Sequence, residues 1–336
     1  MTYAIHESLN LLSQKQDLPE ELTFTVVQDL LSGKLTPAQI GGLLLGLSLK
    51  GETPEEIAAF AQTLRDASLK IKAPAGTLDT CGTGGDRSGT FNISTTAAFV
   101  IAGAGVPVAK HGNRFASGRC GSADVLEQLG ISLKATPESS ERHLQHIGMT
   151  FLFAQVYHPA MAKVAAERRE LGIRTIFNLL GPLLNPAGAP YQLLGVSSPS
   201  LLPKMAKALQ ILGSKRAVVA VGEDGLDEVT LTGATQAILI DGGAIQPFII
   251  RPEEYGLNLC SLQDLQGGTP AENGQITLRI LQGKRGPQRD IVLLNAGTAL
   301  YAANKAAGIR EGIALAAESL DSGKALSILE KLKASA

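Results

Sequence analysis

The chain has 336 residues, with 30 Lys plus Arg against 31 Asp plus Glu, a net charge of −1, and only 18% charged residues. Glycine is frequent (37 residues), tryptophan is absent, and 44% of the residues are hydrophobic. These figures exclude a disordered chain, offer no general electrostatic footprint for nucleic acid, and, because the glycines lack a three-residue period, exclude collagen.

No cationic stretch precedes an apolar run at the N-terminus, so no signal peptide is expected. The first 70 residues read as helices alone. Residues 3–15 and 19–31 form the first two. Thr36-Pro37 starts a third, with Thr as N-cap and Pro at the first helical position. Ile40, Leu43, Leu44 and Leu47 follow helical spacing, Leu45 and Leu49 widen the apolar face, and Gly51 stops the helix. Thr53-Pro54-Glu55-Glu56 is a capping box opening a fourth helix. The over-wide leucine face suits either burial against the rest of the chain or a dimer interface.

From Thr77 the pattern changes. Short apolar runs at 78–81, 106–109, 151–153, 192–196, 217–221, 237–240 and 248–250 read as strands. Helical segments lie between most of them, such as 201–212, and residues 291–333 are helical again. Alternating strands and helices imply an α/β domain with a largely parallel sheet. Residues 158–190 interrupt the alternation: one helix from Pro159 to Leu171 ends at Gly172, and a second covers 173–180. This stretch could complete the helical unit. The resulting division is a small all-helical N-terminal domain, 1–72, completed by an insertion near 165–190. A large α/β domain with a mostly parallel central sheet covers 73–336.

Three regions carry chemistry. The first is Asp79-Thr80-Cys81-Gly82-Thr83-Gly84-Gly85-Asp86, continuing to Thr90-Phe91-Asn92-Ile93-Ser94-Thr95. A strand, a glycine loop and a helix N-terminus together present backbone N–H groups to phosphate. The spacing matches neither the dinucleotide fingerprint nor a Walker A loop, and a tight turn needing positive φ is the alternative. The second region runs from Lys110-His111-Gly112-Asn113-Arg114 through Ser117-Gly118-Arg119-Cys120-Gly121-Ser122-Ala123-Asp124 and follows a strand. Its three cations suit a polyanion at the carboxyl edge of the sheet; a solvated loop is the alternative. In the third, Glu223, Asp224, Asp227 and Glu228 repel one another unless a cation sits among them. Mg²⁺, which completes its shell with phosphate and water, fits, and an acidic surface turn is the alternative.

Taken in order, Gly82-Thr83-Gly84-Gly85-Asp86, Asn92-Ile93-Ser94-Thr95, Lys110-His111-Gly112-Asn113-Arg114, Gly121-Ser122-Ala123-Asp124 and Asp227-Glu228 resemble the anthranilate phosphoribosyltransferase family. So do His158-Pro159-Ala160-Met161 with Arg168 and the run Arg174-Thr175-Ile176-Phe177-Asn178-Leu179-Leu180-Gly181-Pro182. The resemblance runs from the N-terminal helices to about Leu315. It implies transfer of a phosphoribosyl group from phosphoribosyl pyrophosphate to the amine of anthranilate, in tryptophan biosynthesis. It also implies a homodimer joined through the helical domain. The scattered cysteines point to the cytoplasm, the charge to no nucleic-acid partner, and the polar residues within the longest uncharged stretch, 88–109, to no membrane partner.

The same resemblance implies residue roles. Gly82, Gly85, Asp86, Thr90, Asn92, Ile93, Ser94 and Thr95 would bind phosphoribosyl pyrophosphate. Lys110, His111, Gly112, Asn113, Arg114, Phe115, Ala116, Ser117, Gly118 and Ser122 would close over it. Gly82, His111, Asn113, His158, Arg168 and Gly181 would serve anthranilate, and Ser94, Asp227 and Glu228 would hold two Mg²⁺. No covalent nucleophile is implied; Lys110, His111, Asn113 and Arg168 would position the reactants.

The family often has serines where this chain has Gly118 and Cys120. Cys120 also reads as a candidate activated thiol, without a partner base. The cysteines Cys81, Cys120 and Cys260 are far apart, which fits a reducing compartment. His143 and His146 lack a third metal ligand. A pyrimidine nucleoside phosphorylase would show Lys-His-Ser-Thr-Gly-Gly where this chain has Lys110-His111-Gly112-Asn113-Arg114.

Overall fold

A computed structural model of the chain describes residues 3–114 and 120–335. Phe115, Ala116, Ser117, Gly118 and Arg119 therefore lie outside the described residues, and with them part of the second region.

Four helices come first: α1 (Tyr3–Ser13), α2 (Glu20–Ser32), α3 (Pro37–Lys50) and α4 (Pro54–Asp66). The capping signals act as expected. Thr36 and Thr53 each accept from the backbone N–H of the third helical residue, and Gln39 and Glu56 return the bond. Glu56 is fully buried, where it also accepts from Leu18 N–H and pairs with Lys50 at 2.9 Å. One carboxylate thus satisfies three groups at the junction of α3, α4 and the segment before α2.

The α/β part follows as β1 (Leu78–Gly82), α5 (Ile93–Gly103), β2 (Val108–Gly112), α6 (Ser122–Gln128), α7 (Pro137–His146) and β3 (Met149–Phe153). Short helical pieces come next: α8 (Ala154–Tyr157), a 3₁₀ turn at Pro159–Val164, α9 (Ala165–Leu171) and α10 (Phe177–Leu180). Then come β4 (Tyr191–Gly195), α11 (Leu201–Ile211), β5 (Arg216–Gly222), β6 (Thr235–Asp241) and β7 (Ala244–Ile250). Four helices close the chain: α12 (Pro270–Leu281), α13 (Pro287–Ala302), α14 (Ile309–Asp321) and α15 (Lys324–Ala334).

The sheet order is β3-β2-β1-β4-β5-β6-β7. The first five strands are parallel and the β5–β6 and β6–β7 pairs antiparallel. Side chains alternate across β4 and β5. Leu193, Val218 and Ala220 join the core beneath α5 and α13, while Leu194, Val219 and Val221 face the helical unit. Helix α5 is apolar nearly all round because it is packed among α13, α14 and α15.

Three expectations need correction. The second strand begins at Val108 and runs through Gly112, so Lys110 and His111 belong to a strand and not to a loop. The helix at 159–171 is divided between a 3₁₀ turn and α9, with Gly172 in the left-handed region at φ +61°. Residues 173–176 precede α10, and Thr175 N–H is held by the Asn178 side chain at 2.9 Å. Val164, Ile176, Phe177, Leu180 and Leu183 share a core with the leucines of α2 and α3. Phe60 of α4 meets Phe177 edge-on at 6.5 Å.

Because the helical core is continuous with one face of the sheet, the helices and sheet should melt in one transition. Phe60→Ala is expected to cost about 3–5 kcal/mol, read as a lowered urea midpoint at unchanged slope. Two separated transitions would contradict the shared core.

Candidate active site

β1, β2, β4 and β5 all end in glycine: Gly82, Gly112, Gly195 and Gly222. Their carboxyl ends form the sheet edge at which open α/β folds bind ligands. A Cβ on Gly195 would lie 1.6 Å from the Asp227 carbonyl oxygen, and one on Gly82 would lie 2.2 Å from Asp227 Oδ2. Bare backbone here lets residues 223–234 lie across the ends of β1 and β4.

The glycine loop leaves β1 and turns at Gly84 and Gly85, with φ of +70° and +81°. The tight-turn reading is therefore right as geometry, and the turn aims donors inward. Gly84 N–H donates to Asp227 Oδ2 at 2.6 Å. Asp86 accepts from the Ser88 hydroxyl at 2.7 Å, and Thr90 Oγ1 lies 3.2 Å from the same hydroxyl. The far end of the loop is fastened by Gly267 N–H to Gly89 O (2.9 Å) and by Phe91 N–H to Leu265 O (3.1 Å). Asn92 then stands at the N-cap of α5, and Ile93, Ser94 and Thr95 are its first turn.

Asp227 and Glu228 are half-buried against that turn. Ser94 N–H donates to Glu228 Oε1 at 3.0 Å. Burial, and then neighbouring Asp227, pushes the Glu228 carboxyl up to about 8. Burial, and then Asp86, holds the Asp227 carboxyl well above the usual carboxylate range. The four-acid run divides by role. Asp224 is spent on Leu226 N–H and on the Thr230 and Thr232 hydroxyls at 3.0, 2.8 and 2.6 Å. Glu223 accepts from Ala234 N–H. Glu228 faces Ser94, and Asp227 faces the glycine loop at Gly84.

The donor set of Ser94, Asp227 and Glu228 is all hard oxygen, and its acids are costly to leave bare, so it fits a divalent cation. Among the described residues no group of three or more His, Cys, Asp or Glu makes a complete cage. An ion would need further oxygens from phosphate or water, which is the habit of Mg²⁺.

Lys110 is 2% exposed. Its Nζ donates to Thr80 O at 2.5 Å and to Ser94 Oγ at 3.3 Å, so its charge lies beneath the first turn of α5. Gly112 packs close to Ser122, whose hydroxyl donates to Asn113 O at 3.2 Å. Arg114 is paired with Asp124 at 2.8 Å and Glu127 at 2.9 Å on α6. Thus two of the second region's three cations are placed differently from one another: Lys110 inside the sheet edge and Arg114 in the exposed loop.

His111 and His158 meet at 5.0 Å between ring centres. His111 Nδ1 lies 3.1 Å from Gly181 O, so Nδ1 carries the proton and donates. Burial first, then neighbouring His158, lowers His111 to about 3, and burial lowers His158 to about 4. Both rings are neutral near pH 7. The guanidinium of Arg168 stacks 4.8 Å from the Phe177 ring, is half-buried, and has no ion pair among the described residues, whereas Arg169 is exposed. Burial lowers the Arg168 pKa, as expected for a cation lacking a carboxylate.

Two residues are given no site role by the sequence: Arg174 stands there only as part of a motif, and Asn273 in none of the motifs named above. Arg174 reaches Gly84 O and Gly85 O at 3.4 Å, and its own carbonyl accepts from Ser48 of α3 at 3.1 Å. Asn273 of α12 donates to Asn92 Oδ1 at 2.9 Å and so orients the Asn92 amide. Cys120 has its thiol pushed up to about 11 by burial, which removes the activated-thiol reading. His143 lies 3.3 Å from the Ser139 hydroxyl and His146 is exposed.

Residues 75–326 match the family model described as glycosyl transferase family, a/b domain, and residues 6–68 match its helical bundle domain. Over all 336 residues and the full length of both chains, the sequence is 98% identical to an anthranilate phosphoribosyltransferase of Desulfitobacterium hafniense. The crystal structure of anthranilate phosphoribosyltransferase from Thermus thermophilus is similar at a TM-score of 0.92, with 46% identity and 98% of each chain covered. The Saccharomyces cerevisiae enzyme in complex with PRPP and Mg is similar at 0.91, with 29% identity, covering 100% of this chain and 98% of that one.

The neutral histidine pair has a consequence for stability. Both folded values lie below the unfolded value of about 6.5, so the unfolded chain binds more protons below that pH. Stability is full above pH 6.5 and should fall with pH by up to about 1.4 kcal/mol per unit for each histidine. Urea midpoints at pH 7 and pH 5 should differ less for His158→Gln than for the unaltered chain. Equal differences would contradict the burial of a neutral ring.

Proposed function

The chain belongs to the anthranilate phosphoribosyltransferase family and transfers the phosphoribosyl group of phosphoribosyl pyrophosphate to the amine of anthranilate, the step of tryptophan biosynthesis carried by that family; we propose that it does so across the carboxyl edge described above, with the charged loops on one side and Arg168 on the other. The observation that carries this reading is the convergence of Asp227 and Glu228 on Gly84 N–H and Ser94 N–H beside buried Lys110.

The pyrophosphate end takes the glycine loop, the first turn of α5 and the Lys110 charge. Two Mg²⁺ would be held by Ser94, Asp227 and Glu228, and when bound they supply charge neutralisation to the departing pyrophosphate. The bond between the ribose anomeric carbon and pyrophosphate oxygen breaks, and one to the amine nitrogen forms. An aromatic amine is already nucleophilic, so no strong base is required of the protein. The chain's task is to hold both reactants in line.

The acceptor end takes Arg168, His158, His111, Asn113 and Gly181. The guanidinium suits a carboxylate bidentately. The neutral imidazoles and Phe177 suit an aromatic ring, and with no carboxylate beside Arg168 among the described residues its charge is available to an acid. From the second region, Lys110 in β2 would offer its charge to the donor substrate beneath α5, and Arg114 would do so from the exposed loop that follows.

The division into 1–72 with the insertion near 165–190, and 73–336, is supported by the limits of the two family models and by the core that Val164, Phe177 and Leu180 share with α2 and α3. A homodimer through the helical domain is supported by exposed Leu45 and Leu49 on α3 and Tyr3 on α1. A cytoplasmic location is supported by three free cysteines. Among the described residues no helix is long and apolar enough to cross a membrane.

Adding phosphoribosyl pyrophosphate and Mg²⁺ to the protein should quench anthranilate fluorescence; absence of turnover by folded protein would refute the reading. Asp227→Asn with Glu228→Gln should lower turnover by about a hundredfold or more, and an unchanged Mg²⁺ requirement would remove both from the metal site. Arg168→Ala should raise KM for anthranilate more than KM for phosphoribosyl pyrophosphate. The reverse would contradict its role.

A further inference from the structure

The loop bearing Asp227 and Glu228 is held from outside by one residue that no role above has used. Asn295 lies in the middle of α13 and is fully buried. Its Oδ1 accepts from Val229 N–H at 2.9 Å, and its Nδ2 donates to Val229 O at 2.8 Å. The same Nδ2 donates to Ile291 O at 2.9 Å, one helical turn back. One amide therefore satisfies both main-chain groups of Val229, as a neighbouring strand would, and is itself anchored to α13. Val229 is fully buried and follows Glu228 directly.

We propose that Asn295 is a positioning residue for the metal-holding acids, clamping the Val229 peptide so that Asp227 and Glu228 stay together at the sheet edge before any cation arrives. The inference rests on the metal reading of that pair. Its physical basis is repulsion: adjacent carboxylates facing Asp86 gain by swinging apart into solvent, which the bonds from Gly84 and Ser94 N–H oppose only in part, so the backbone on either side must oppose the rest. On the upstream side the Asp227 carbonyl packs on Gly195, where there is no room for a Cβ. On the downstream side Asn295 is the restraint nearest the acids, holding Val229, and the bond from Thr230 N–H to Thr235 Oγ1 at 3.0 Å comes one residue later. A buried peptide losing that partner would leave an N–H and a C=O unpaired, so the loop would shift to recover them. Partners that orient metal ligands are typically worth ten- to a hundredfold in metal affinity.

The test uses the full chain with Mn²⁺ and inorganic pyrophosphate, with free Mn²⁺ followed by electron paramagnetic resonance. Asn295→Ser should raise the Mn²⁺ Kd at least about tenfold. The Mg²⁺ concentration for half-maximal velocity should rise more than kcat at saturating Mg²⁺ falls. Thr298→Val is the control: Thr298 is fully buried on the same helix and donates to Leu294 O at 2.8 Å, away from the loop. It should lower Tm without moving the Mn²⁺ Kd. An unmoved Kd in Asn295→Ser, or an equal change in both variants, would overturn the clamp. Should Asn295→Ser not fold, hydrogen exchange of the Val229 amide in the unaltered, metal-free protein decides. Slow exchange is expected, and exchange as fast as a solvated loop would overturn it. If Asp227→Asn with Glu228→Gln leaves Mn²⁺ affinity unmoved, the metal reading itself fails. If that pair abolishes binding and Asn295→Ser does not weaken it, only the clamp fails.

Discussion

The fold assembles like charges at one point, and much of the site is arranged around that cost. Asp86 from the glycine loop approaches Asp227 and Glu228 from the loop after β5, and burial first, then the neighbouring carboxylates, drives each member of the latter pair toward its protonated form. Partial relief comes from the N–H groups of Gly84 and Ser94, the positive end of α5, and the Lys110 ammonium below it. These offset the repulsion without cancelling it. A site left short of positive charge, at the edge where an anionic substrate would enter, is one that takes up a metal together with its phosphate ligand.

Close approach makes that assembly possible. The excess of glycine in the composition takes a specific form in the structure: the four strands that meet at the site each end in one. At Gly195 and Gly82 the reason is contact with Asp227, and at Gly84 and Gly85 it is the left-handed turn. On the acceptor side the environment reverses. The neutral rings of His111 and His158 meet each other, and Arg168 stacks on Phe177 with no ion pair among the described residues. A charged end and an apolar end that differ this sharply suit two substrates of different character reacting at their junction.

Much of this was legible from residue order. The capping boxes at Thr36 and Thr53 located α3 and α4 because the signal is local and its chemistry is complete within four residues. All seven strands were detectable as short apolar runs, although their ends were not. The interior ends of β2 are masked by Lys110 and His111, polar residues that become strand members only because Thr80, Ser94 and Gly181 receive them. Helix α12 carries the same signature as α4, Thr269-Pro270-Ala271-Glu272, and could have been read from it. Asn295 and Asn273 could not. An asparagine inside a helix reads locally as a poor helix former, and nothing near Asn295 in sequence indicates that its partner is Val229, 66 positions away. The surplus charge of the Glu223 to Glu228 run was visible, but its division into two structural acids and two site acids depends on which way the loop is braced.

The most direct test of the carboxylate account is anomalous diffraction from crystals grown with Mn²⁺ and pyrophosphate. The account predicts metal density bounded by Glu228, Asp227 and the Ser94 hydroxyl, with pyrophosphate oxygens completing the shell toward the glycine loop. Pyrophosphate bound at the loop with the metal elsewhere, or with both acids protonated and no metal between them, would contradict it.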